Sequence, residues 1–441
     1  MSLAPPETVR KLQATLNAKA KGAPSYRFYA LYDKVCRNDV LTYAYERCRQ
    51  NAGAPGVDGQ TFEAIEESGR DQWLDALMHD LKGRTYHPSP IRRVFIPKPD
   101  GKQRPLGIGT IRDRVVQMAV VVVLEAIFEA DLTPEQYAYR PGRSAHDAVR
   151  RAHALVNAGY TQVVDADLAG YFDTIPHPEL LKSVARRVSD GHVLALIKAW
   201  LEAPVEEADR RGRVSRTTRN RDERRGTPQG SPLSPLLSNV YFRRFLLGWV
   251  TLGHARKLDA HIVNYADDFV ICCRWNADEA LAVMRGMMAK LKLTVNESKT
   301  RVCQLPAETF DFLGYTIGPC YRPTTGSCYL GTRPSAKKVA RVKRAISAAT
   351  GRRWVLLPAE DQVGRLNRLL TGWSNYFSLG AVSAAYRAVD YHVRDRLRRW
   401  LCRKHGVDSR GPLRFTDQHL YEELGLVRLC AKTRSFSWAK A

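Results

Sequence analysis

Tyr265-Ala266-Asp267-Asp268 joins two short apolar runs, residues 260–265 and 269–274. Runs of this length and composition are typical of β-strands, so the segment predicts a tight hairpin with two carboxylates at its tip. Taken alone, such a pattern is usually structural, because Asp favours turns through local hydrogen bonds. Its meaning therefore depends on what else the chain brings to the same place.

A second strand-like run, residues 161–167, also ends in aspartates, at Asp165 and Asp167. Carboxylates at the ends of neighbouring strands can converge on hard cations, which take oxygen ligands. The two residues have the same parity along the strand, so simple alternation does not choose between them. Three carboxylates in a strongly basic protein suit phosphoryl transfer, in which two cations about 3.5–4 Å apart stabilise the attacking and leaving oxygens.

A third feature is the segment from Gly226 to Pro232, Gly-Thr-Pro-Gln-Gly-Ser-Pro, which precedes a predicted helix at residues 232–249. Small residues allow a ligand to approach the backbone closely, and proline suits the first turn of a helix. The segment is therefore a candidate for contact with a nucleotide and its template base.

The chain has 441 residues, of which 44% are apolar, and a formal net charge of +24 with a pI near 9.8. Such a charge favours a polyanionic partner, although a merely basic soluble protein is the alternative. The longest apolar run, residues 118–124, is too short to cross a bilayer, and the N-terminus lacks the apolar core of a secretory signal. The nine cysteines include no CxxC pair, which predicts reduced thiols and a cytoplasmic protein without a membrane partner.

Short apolar strands alternate with helices between residues 160 and 320, a pattern that predicts an α+β layer with one covered sheet face. Residues 1–50 are predicted to be helical, and the region after Pro334 is Arg/Lys-rich and helical to about residue 405. Further strands are predicted at 92–97, 105–108 and 309–317, and further helices at 62–81, 178–203 and 277–292.

Over roughly residues 50–405 the order of these motifs resembles that of the reverse transcriptases encoded by group II introns. The resemblance implies a right-hand polymerase of fingers and palm, followed by an α-helical thumb or maturase domain. It also favours a helix over residues 111–130, where four consecutive valines leave the pattern ambiguous. The matching segments are Asn51 with Pro55–Gly59, Arg104–Ile108, Arg112–Gln117, Tyr139–His146, Asp167 with Phe172, Gln229-Gly230, Tyr265–Asp268, Asn296–Thr300, Phe312–Tyr315 and Gly372–Phe377.

The resemblance implies specific roles for residues of the polymerase site. Asp167, Asp267 and Asp268 would be catalytic and hold two Mg²⁺ ions, for which Mn²⁺ could substitute. Phe172 would lie beneath the sugar and exclude a 2′-hydroxyl group. The other nucleotide-binding residues would be Lys98 and Arg104 on the triphosphate of the dNTP, Gln229 and Gly230 along the pocket, and Lys299 at the pyrophosphate leaving group.

Each role has a structural alternative. Phe172 could simply be a core residue, and Lys98 could be a solvated turn charge, with Lys102 close enough to replace it. Asp173 and His177 are expected to hold the turn after the strand and not to contact metal.

Two basic regions are candidates for RNA binding. One is the arginine-dense stretch just before Gly226, which could instead be a solvated loop. The other is the helical region after residue 334, where interleaved aromatic residues are mostly expected to be core and the basic faces to suit RNA or a template–primer duplex. The candidates are Arg213, Arg216, Arg219, Arg221, Lys337, Lys338, Arg341 and Arg344.

The predicted domains are an N-terminal extension (1–60), fingers and palm (61–320), a helical thumb or maturase domain (321–405) and a C-terminal tail (406–441). After Cys402 the only His and Cys residues are His405, His419 and Cys430, which are widely spaced. We therefore expect no HNH endonuclease domain in this polypeptide, and priming from existing 3′ ends, for instance at replication forks.

The resemblance implies an RNA-directed DNA polymerase that binds structured intron RNA, assists its splicing and copies it into DNA during retrohoming, in the bacterial cytosol near the nucleoid. One alternative is a domesticated relative that acts in host defence or DNA repair. Another is an RNA-binding maturase without polymerase activity, against which the three intact aspartates argue. The sequence does not separate the first two readings, and it does not determine the oligomeric state.

Overall fold

The computed structural model describes residues 3–97, 101, 103–209, 211–322, 325–407 and 414–433. Its strands are β1 Ile91–Pro97, β2 Gln103–Ile108, β3 Gln162–Asp167, β4 Val205–Ala208, β5 Val214–Thr217, β6 Ala260–Tyr265, β7 Asp268–Cys273, β8 Arg301–Gln304, β9 Phe310–Phe312, β10 Tyr315–Tyr321 and β11 Cys328–Pro334. Its α-helices are α1 Glu7–Gly22, α2 Tyr32–Val35, α3 Asn38–Gln50, α4 Phe62–Lys82, α5 Ile111–Phe128, α6 Ala145–Asn157, α7 Tyr171–Thr174, α8 His177–Ala185, α9 Gly191–Leu201, α10 Arg219–Asp222, α11 Ser234–Thr251, α12 His254–Lys257, α13 Ala277–Lys290, α14 Ala336–Ala349, α15 Ala359–Tyr376, α16 Ser383–Lys404 and α17 Leu429–Lys432.

The palm is a four-stranded antiparallel sheet in the order β6-β7-β3-β8. Because side chains alternate across a strand, one face carries Val164, Phe269 and Ile271 into the large helical core. The opposite face carries Val163 and Val270 into a second core, shared with α6 and the β9–β10 strands. The predicted strands 161–167 and 260–265 are confirmed, and both faces of the sheet are covered where one covered face was expected.

The fingers contain a second four-stranded sheet, in the order β2-β1-β4-β5. β1 and β2 form the antiparallel pair predicted from sequence, and β4 joins β1 in parallel. Among the residues that the structure describes, the separate buried cluster at this sheet consists of Ile91, Ala203 and Val205 alone. Its position therefore depends strongly on contacts with the palm.

The ambiguous segment at residues 111–130 is a helix, α5, as the resemblance indicated. Nearly all of its side chains are buried, so the valines pack on every side, as expected of a helix inside a core. Asp113 near its N-terminus is 3% exposed and accepts hydrogen bonds from the hydroxyl groups of Tyr86 (2.6 Å) and Thr110 (2.8 Å). The bond from Tyr86 joins α5 to the segment that leads into β1, and Thr110 caps the N-terminus of α5.

The prediction of one helix over residues 178–203 is wrong, because the structure has two, α8 and α9. Asp190 interrupts the run: its Oδ1 accepts the backbone N–H groups of His192 and Val193 and so caps α9. Its Oδ2 accepts the N–H groups of Leu31 and Tyr32, which ties the N-terminal helices to this break.

The prediction of one strand over residues 309–317 is also wrong. Leu313 and Gly314 have positive φ angles of 51° and 84°, and they turn the chain into the antiparallel hairpin β9–β10. β11 then pairs with β10, so the predicted limit at residues 320/321 falls inside a hairpin. The remaining domain limits stay predictions.

The C-terminal helical region is built from α14, α15 and α16 around a third core that includes Leu366, Tyr386 and Trp400. Asp390 on α16 accepts the backbone N–H groups of Leu429 and Cys430, both at 2.9 Å, and so holds α17 in place. Within the described ranges, no helix combines the length and apolar character needed to cross a membrane.

Candidate active site

The palm sheet brings the three predicted catalytic aspartates together. Asp167, the last residue of β3, lies directly opposite Asp268, the first residue of β7. Cβ atoms of such antiparallel partners are about 4.5–5.5 Å apart. Asp267 lies beside them in the two-residue turn after Tyr265, where Ala266 adopts a left-handed φ of 58°. Residues a hundred positions apart in the chain thus share one end of the sheet.

Two of the clustered carboxylates, those of Asp267 and Asp268, have raised pKa values. Burial, followed by the negative charges of Asp267 and Asp167, raises the pKa of Asp268 to about 6. Burial also raises the pKa of Asp267, with Asp167 adding to the effect, whereas Arg104 and Lys299 act in the opposite direction. A site with these energetics gains stability when cations neutralise it.

The donor set fits divalent cations, although the described residues contain no group of three His, Cys, Asp or Glu side chains arranged closely enough to hold a metal by themselves. Mg²⁺ is usually held by one or two carboxylates together with waters and substrate phosphates, and not by an all-protein cage. Carboxylates that face one another across a strand pair therefore suit an ion that arrives with a nucleotide.

Asp165, which parity left equivalent to Asp167, lies on the same face of the sheet two residues earlier. With Asp268, Asp311 and Lys338 it lines a polar cavity of about 340 Å³ between the palm and the start of α14. Its carboxylate is 3.9 Å from the guanidinium of Arg301, and burial raises its pKa to about 6. Asp167 therefore differs from Asp165 in lying at the end of β3 opposite Asp268, and not in the face of the sheet that it occupies.

The loop at residues 294–300 closes over Asp167. The ammonium group of Lys299 lies 3.0 Å from Asp167 Oδ2, so Lys299 reaches the aspartate cluster. Asn296 donates a 2.8 Å hydrogen bond to the same oxygen, a contact that sequence reasoning missed. The resemblance includes the motif Asn296–Thr300 but implies a role only for Lys299.

Two of the predicted nucleotide-binding residues, Arg104 and Gln229, are in contact. Arg104 Nε donates to Gln229 Oε1 at 2.9 Å, and Gln229 Nε2 donates to Asp173 Oδ2 at 3.0 Å. The backbone N–H of Gly107 also donates to the carbonyl of Gln229 at 2.6 Å. These bonds connect a finger strand to the palm, and Asp173 does more than hold its own turn.

Gly230, the next residue after Gln229, lies where the backbone of this segment comes very close to the backbone of β2 at Gly107. A Cβ atom at this position would lie 2.4 Å from the carbonyl oxygen of Gly107, and the φ angle is +112°. Only glycine meets both requirements without displacing the neighbouring strand.

Phe172 is 9% exposed on α7, with its ring 5.7 Å from that of Tyr171 in the main core. Its carbonyl accepts the N–H of Thr227 at 2.7 Å, so it adjoins the glycine-containing segment. The structure therefore supports a packing role and leaves the sugar-selection role a prediction. The predicted triphosphate ligand Lys98 lies outside the described residues.

Tyr139 is a further residue at the site that sequence reasoning did not single out. It is 49% exposed and has a positive φ of 55°, which is uncommon for an aromatic residue. Burial and then the charge of Asp267 raise the pKa of its hydroxyl, whereas Arg104 lowers it. The motif Tyr139–His146 marks the segment, but it does not indicate that Tyr139 lies within electrostatic range of Asp267.

The predicted RNA-binding residues occupy two separate surfaces. Arg213 and Arg216 lie at or beside the exposed edge strand β5, while Arg219 and Arg221 on α10 pair with Glu223 (2.6 Å) and Asp222 (3.4 Å). Lys337, Arg341 and Arg344 are exposed on α14. Lys338 differs from them: it lines the cavity beside Asp268, where burial raises the pKa of that residue and the positive charge of Lys338 opposes the rise.

Comparison with known proteins adds independent findings. Residues 96–317 match the family model of the reverse transcriptase (RNA-dependent DNA polymerase), and residues 339–414 match that of the group II intron maturase-specific domain. The chain is 32% identical to Protein YkfC of Escherichia coli over 70% of its own length and 88% of that protein. It is 33% identical to the group II intron-encoded protein LtrA of Lactococcus lactis over 48% of its own length.

Some relatives are much longer than the aligned region. The aligned part makes up 34% of LtrA, and 54% of a 91 kDa protein in the cob intron of Schizosaccharomyces pombe, which is 24% identical over 86% of the chain. The two family models nevertheless follow one another in the order of palm and helical region seen in the structure. The chain therefore belongs to the family of group II intron reverse transcriptases and maturases, and its polymerase domain is that of an RNA-directed DNA polymerase.

Proposed function

We propose that the chain extends a primer on an RNA template by nucleotidyl transfer with two divalent cations, Mg²⁺ in the first place, at Asp167, Asp267 and Asp268. The observation that carries the proposal is the pairing of Asp167 with Asp268 across β3 and β7, next to the turn that holds Asp267. Bound cations would activate the primer 3′-hydroxyl and stabilise charge on the leaving pyrophosphate.

The chain's own residues would position the dNTP between fingers and palm. Arg104 is held by Gln229 at the mouth of the site, where its guanidinium can pair with phosphate oxygens. Gly230 would let the nucleotide and template base approach the backbone, and Lys299 would place a positive charge near the leaving group. Such charges, fixed before the reaction, stabilise the transition state without reorganising.

We further propose that the basic surfaces of α14 and β5 bind structured RNA and the template–primer duplex. Exposed arginines and lysines on these elements suit recognition of backbone and shape. Intron RNA is the expected partner because a maturase-specific domain follows the polymerase domain. In that setting the protein would assist splicing and copy the intron during retrohoming.

The test is Asp267→Asn, which removes a charge from the aspartate cluster with little change in shape. We expect Mg²⁺-dependent cDNA synthesis on a primed RNA template to be lost, while RNA affinity stays within about twofold because the substitution leaves every proposed RNA-binding arginine and lysine in place. Asp278→Asn, at the exposed start of α13, is the matched control. Normal synthesis by Asp267→Asn would overturn the assignment of the site.

A further inference from the structure

The loop at residues 294–300 grips the end of β3 through both backbone and side chains. The N–H of Ala169 donates to the carbonyl of Thr294 at 2.9 Å, and the N–H of Asn296 donates to the carbonyl of Asp167 at 2.8 Å. The N–H of Asp167 donates in turn to Thr300 Oγ1 at 3.3 Å. The backbone of Asp167 is therefore fixed before its side chain is considered.

Asn296 then fixes the carboxylate itself. Its side-chain Nδ2 donates to Asp167 Oδ2 at 2.8 Å, the oxygen that also receives Lys299. The hydroxyl of Ser298 donates to Asn296 Oδ1 at 2.9 Å, which determines which end of the amide faces Asp167. Within the described part of the chain, Asp167 Oδ1 accepts no hydrogen bond, so one oxygen is held and the other is open.

We propose that Asn296 is a positioning residue for metal binding: it holds Asp167 Oδ2 so that Oδ1 faces the cations shared with Asp267 and Asp268. This inference rests on the proposed polymerase function. It concerns a residue that takes no part in the chemistry, acting through Asp167 alone.

Lys299 cannot supply this orientation by itself. Its side chain is 64% exposed and ends in a flexible ammonium group, whereas Asn296 is half-buried and held at both its backbone and its amide. An amide also differs from a lysine in carrying no charge, so it orients the carboxylate without competing with a cation for it. Hydrogen-bond partners behind a metal ligand commonly change metal affinity or activity by about 10–100-fold when removed.

The first experiment measures metal binding and synthesis separately. Asn296→Ala keeps the backbone N–H but removes the donor to Oδ2. We expect Mn²⁺ binding, followed by electron paramagnetic resonance, to weaken about 10-fold. The Mg²⁺ concentration for half-maximal cDNA synthesis should rise by a similar factor, and high Mg²⁺ should restore much of the rate. The KM for dNTP at saturating Mg²⁺ should change much less.

Two further variants provide a control and a second, independent test of the role of Asn296. Glu297→Gln alters the neighbouring exposed residue, which pairs with Arg285 and does not touch Asp167, and it should leave metal binding unchanged. Ser298→Ala releases the Asn296 amide while leaving the loop backbone intact, so it should weaken Mn²⁺ binding in the same direction by about threefold to fivefold. Ser298→Ala carries the test if Asn296→Ala does not fold.

Unchanged Mn²⁺ affinity and unchanged Mg²⁺ half-saturation in a folded Asn296→Ala or Ser298→Ala protein would overturn the inference. That result differs from failure of the proposed function. If the polymerase assignment were wrong, the wild-type protein itself would bind no Mn²⁺ at this site and Asp267→Asn would leave Mn²⁺ binding unaltered.

Discussion

Gly230→Ala tests whether the contact between β2 and the Gln229–Gly230 segment sets the geometry of the proposed nucleotide pocket. The added methyl group would lie 2.4 Å from the carbonyl oxygen of Gly107 and 3.1 Å from Leu106 Cδ1. The oxygen belongs to the backbone of β2, so relief requires movement of the whole strand or of the loop that carries Gln229. Either movement disturbs the 2.6 Å hydrogen bond from Gly107 N–H to the Gln229 carbonyl.

The expected free-energy cost has two parts. A non-glycine residue at the φ of +112° costs about 1–3 kcal/mol. Forcing extra volume against a tightly packed neighbour costs about another 1–3 kcal/mol. We therefore expect the variant to lose about 2–6 kcal/mol of stability locally. Because misplacement by about 1 Å can cost about 100-fold in rate, we also expect kcat/KM for dNTP to fall by at least about 10-fold.

Gly253→Ala is the matched control, since Gly253 also has a positive φ (79°) but nothing lies within 4 Å of the added Cβ. It should show only the backbone cost, about 1–2 kcal/mol, and normal synthesis. Urea unfolding followed by tryptophan fluorescence and steady-state cDNA synthesis give the two readouts. Equal destabilisation of both variants, with unchanged kcat/KM in Gly230→Ala, would refute the close-contact argument.

Three other changes test separate parts of the site. Phe172→Ala should admit ribonucleotides if the ring excludes the 2′-hydroxyl, and unchanged discrimination in a competition assay would leave Phe172 a packing residue only. Asp165→Asn should raise the free energy of unfolding at pH 7.5 by about 1–3 kcal/mol, because the pKa of Asp165 is about 6 in the folded state and lower in the unfolded state, so its buried charge destabilises the fold above pH 6. Thermal unfolding should show that this gain fades as the pH falls from about 6 to below 4. A gain of equal size at pH 4 would contradict the prediction. Replacing Lys337, Arg341 and Arg344 together by alanine should weaken RNA binding and make it less dependent on salt, since each lost phosphate contact reduces counterion release. Filter binding at several salt concentrations measures both effects. If the slope of log affinity against log salt concentration is unchanged, α14 is not part of the RNA-binding surface.

Much of the polymerase organisation was predictable because its signals are local. The two apolar runs around Asp267 and Asp268 define a hairpin by composition alone, and the structure has that hairpin. The excess of basic residues likewise follows from counting, and it indicates a polyanionic partner wherever the residues lie. The order of motifs led to the family, which the comparisons confirm.

Local signals failed where distant residues intervene. Asp190 caps the start of α9 and also accepts the backbone N–H groups of Leu31 and Tyr32, which lie about 160 positions earlier. Helical periodicity carries no information about these distant partners. At Leu313 a positive φ angle turns the chain within an apolar run that the pattern predicts to be one strand. Leucine rarely adopts a positive φ angle, so its presence in the sequence does not indicate a turn.

The sequence by itself determined that the chain is basic and that its strands, helices and three aspartates follow one another in the order typical of a reverse transcriptase. Only the tertiary structure decided that Asp167 pairs with Asp268 across the sheet, that Tyr139 lies within electrostatic range of Asp267, and that Asn296 holds one carboxylate oxygen. The physical reason is that secondary-structure propensity acts over a few residues. The electrostatics and orientation of a site instead arise from contacts between segments more than a hundred residues apart, which only the packing of sheet, loop and helices specifies.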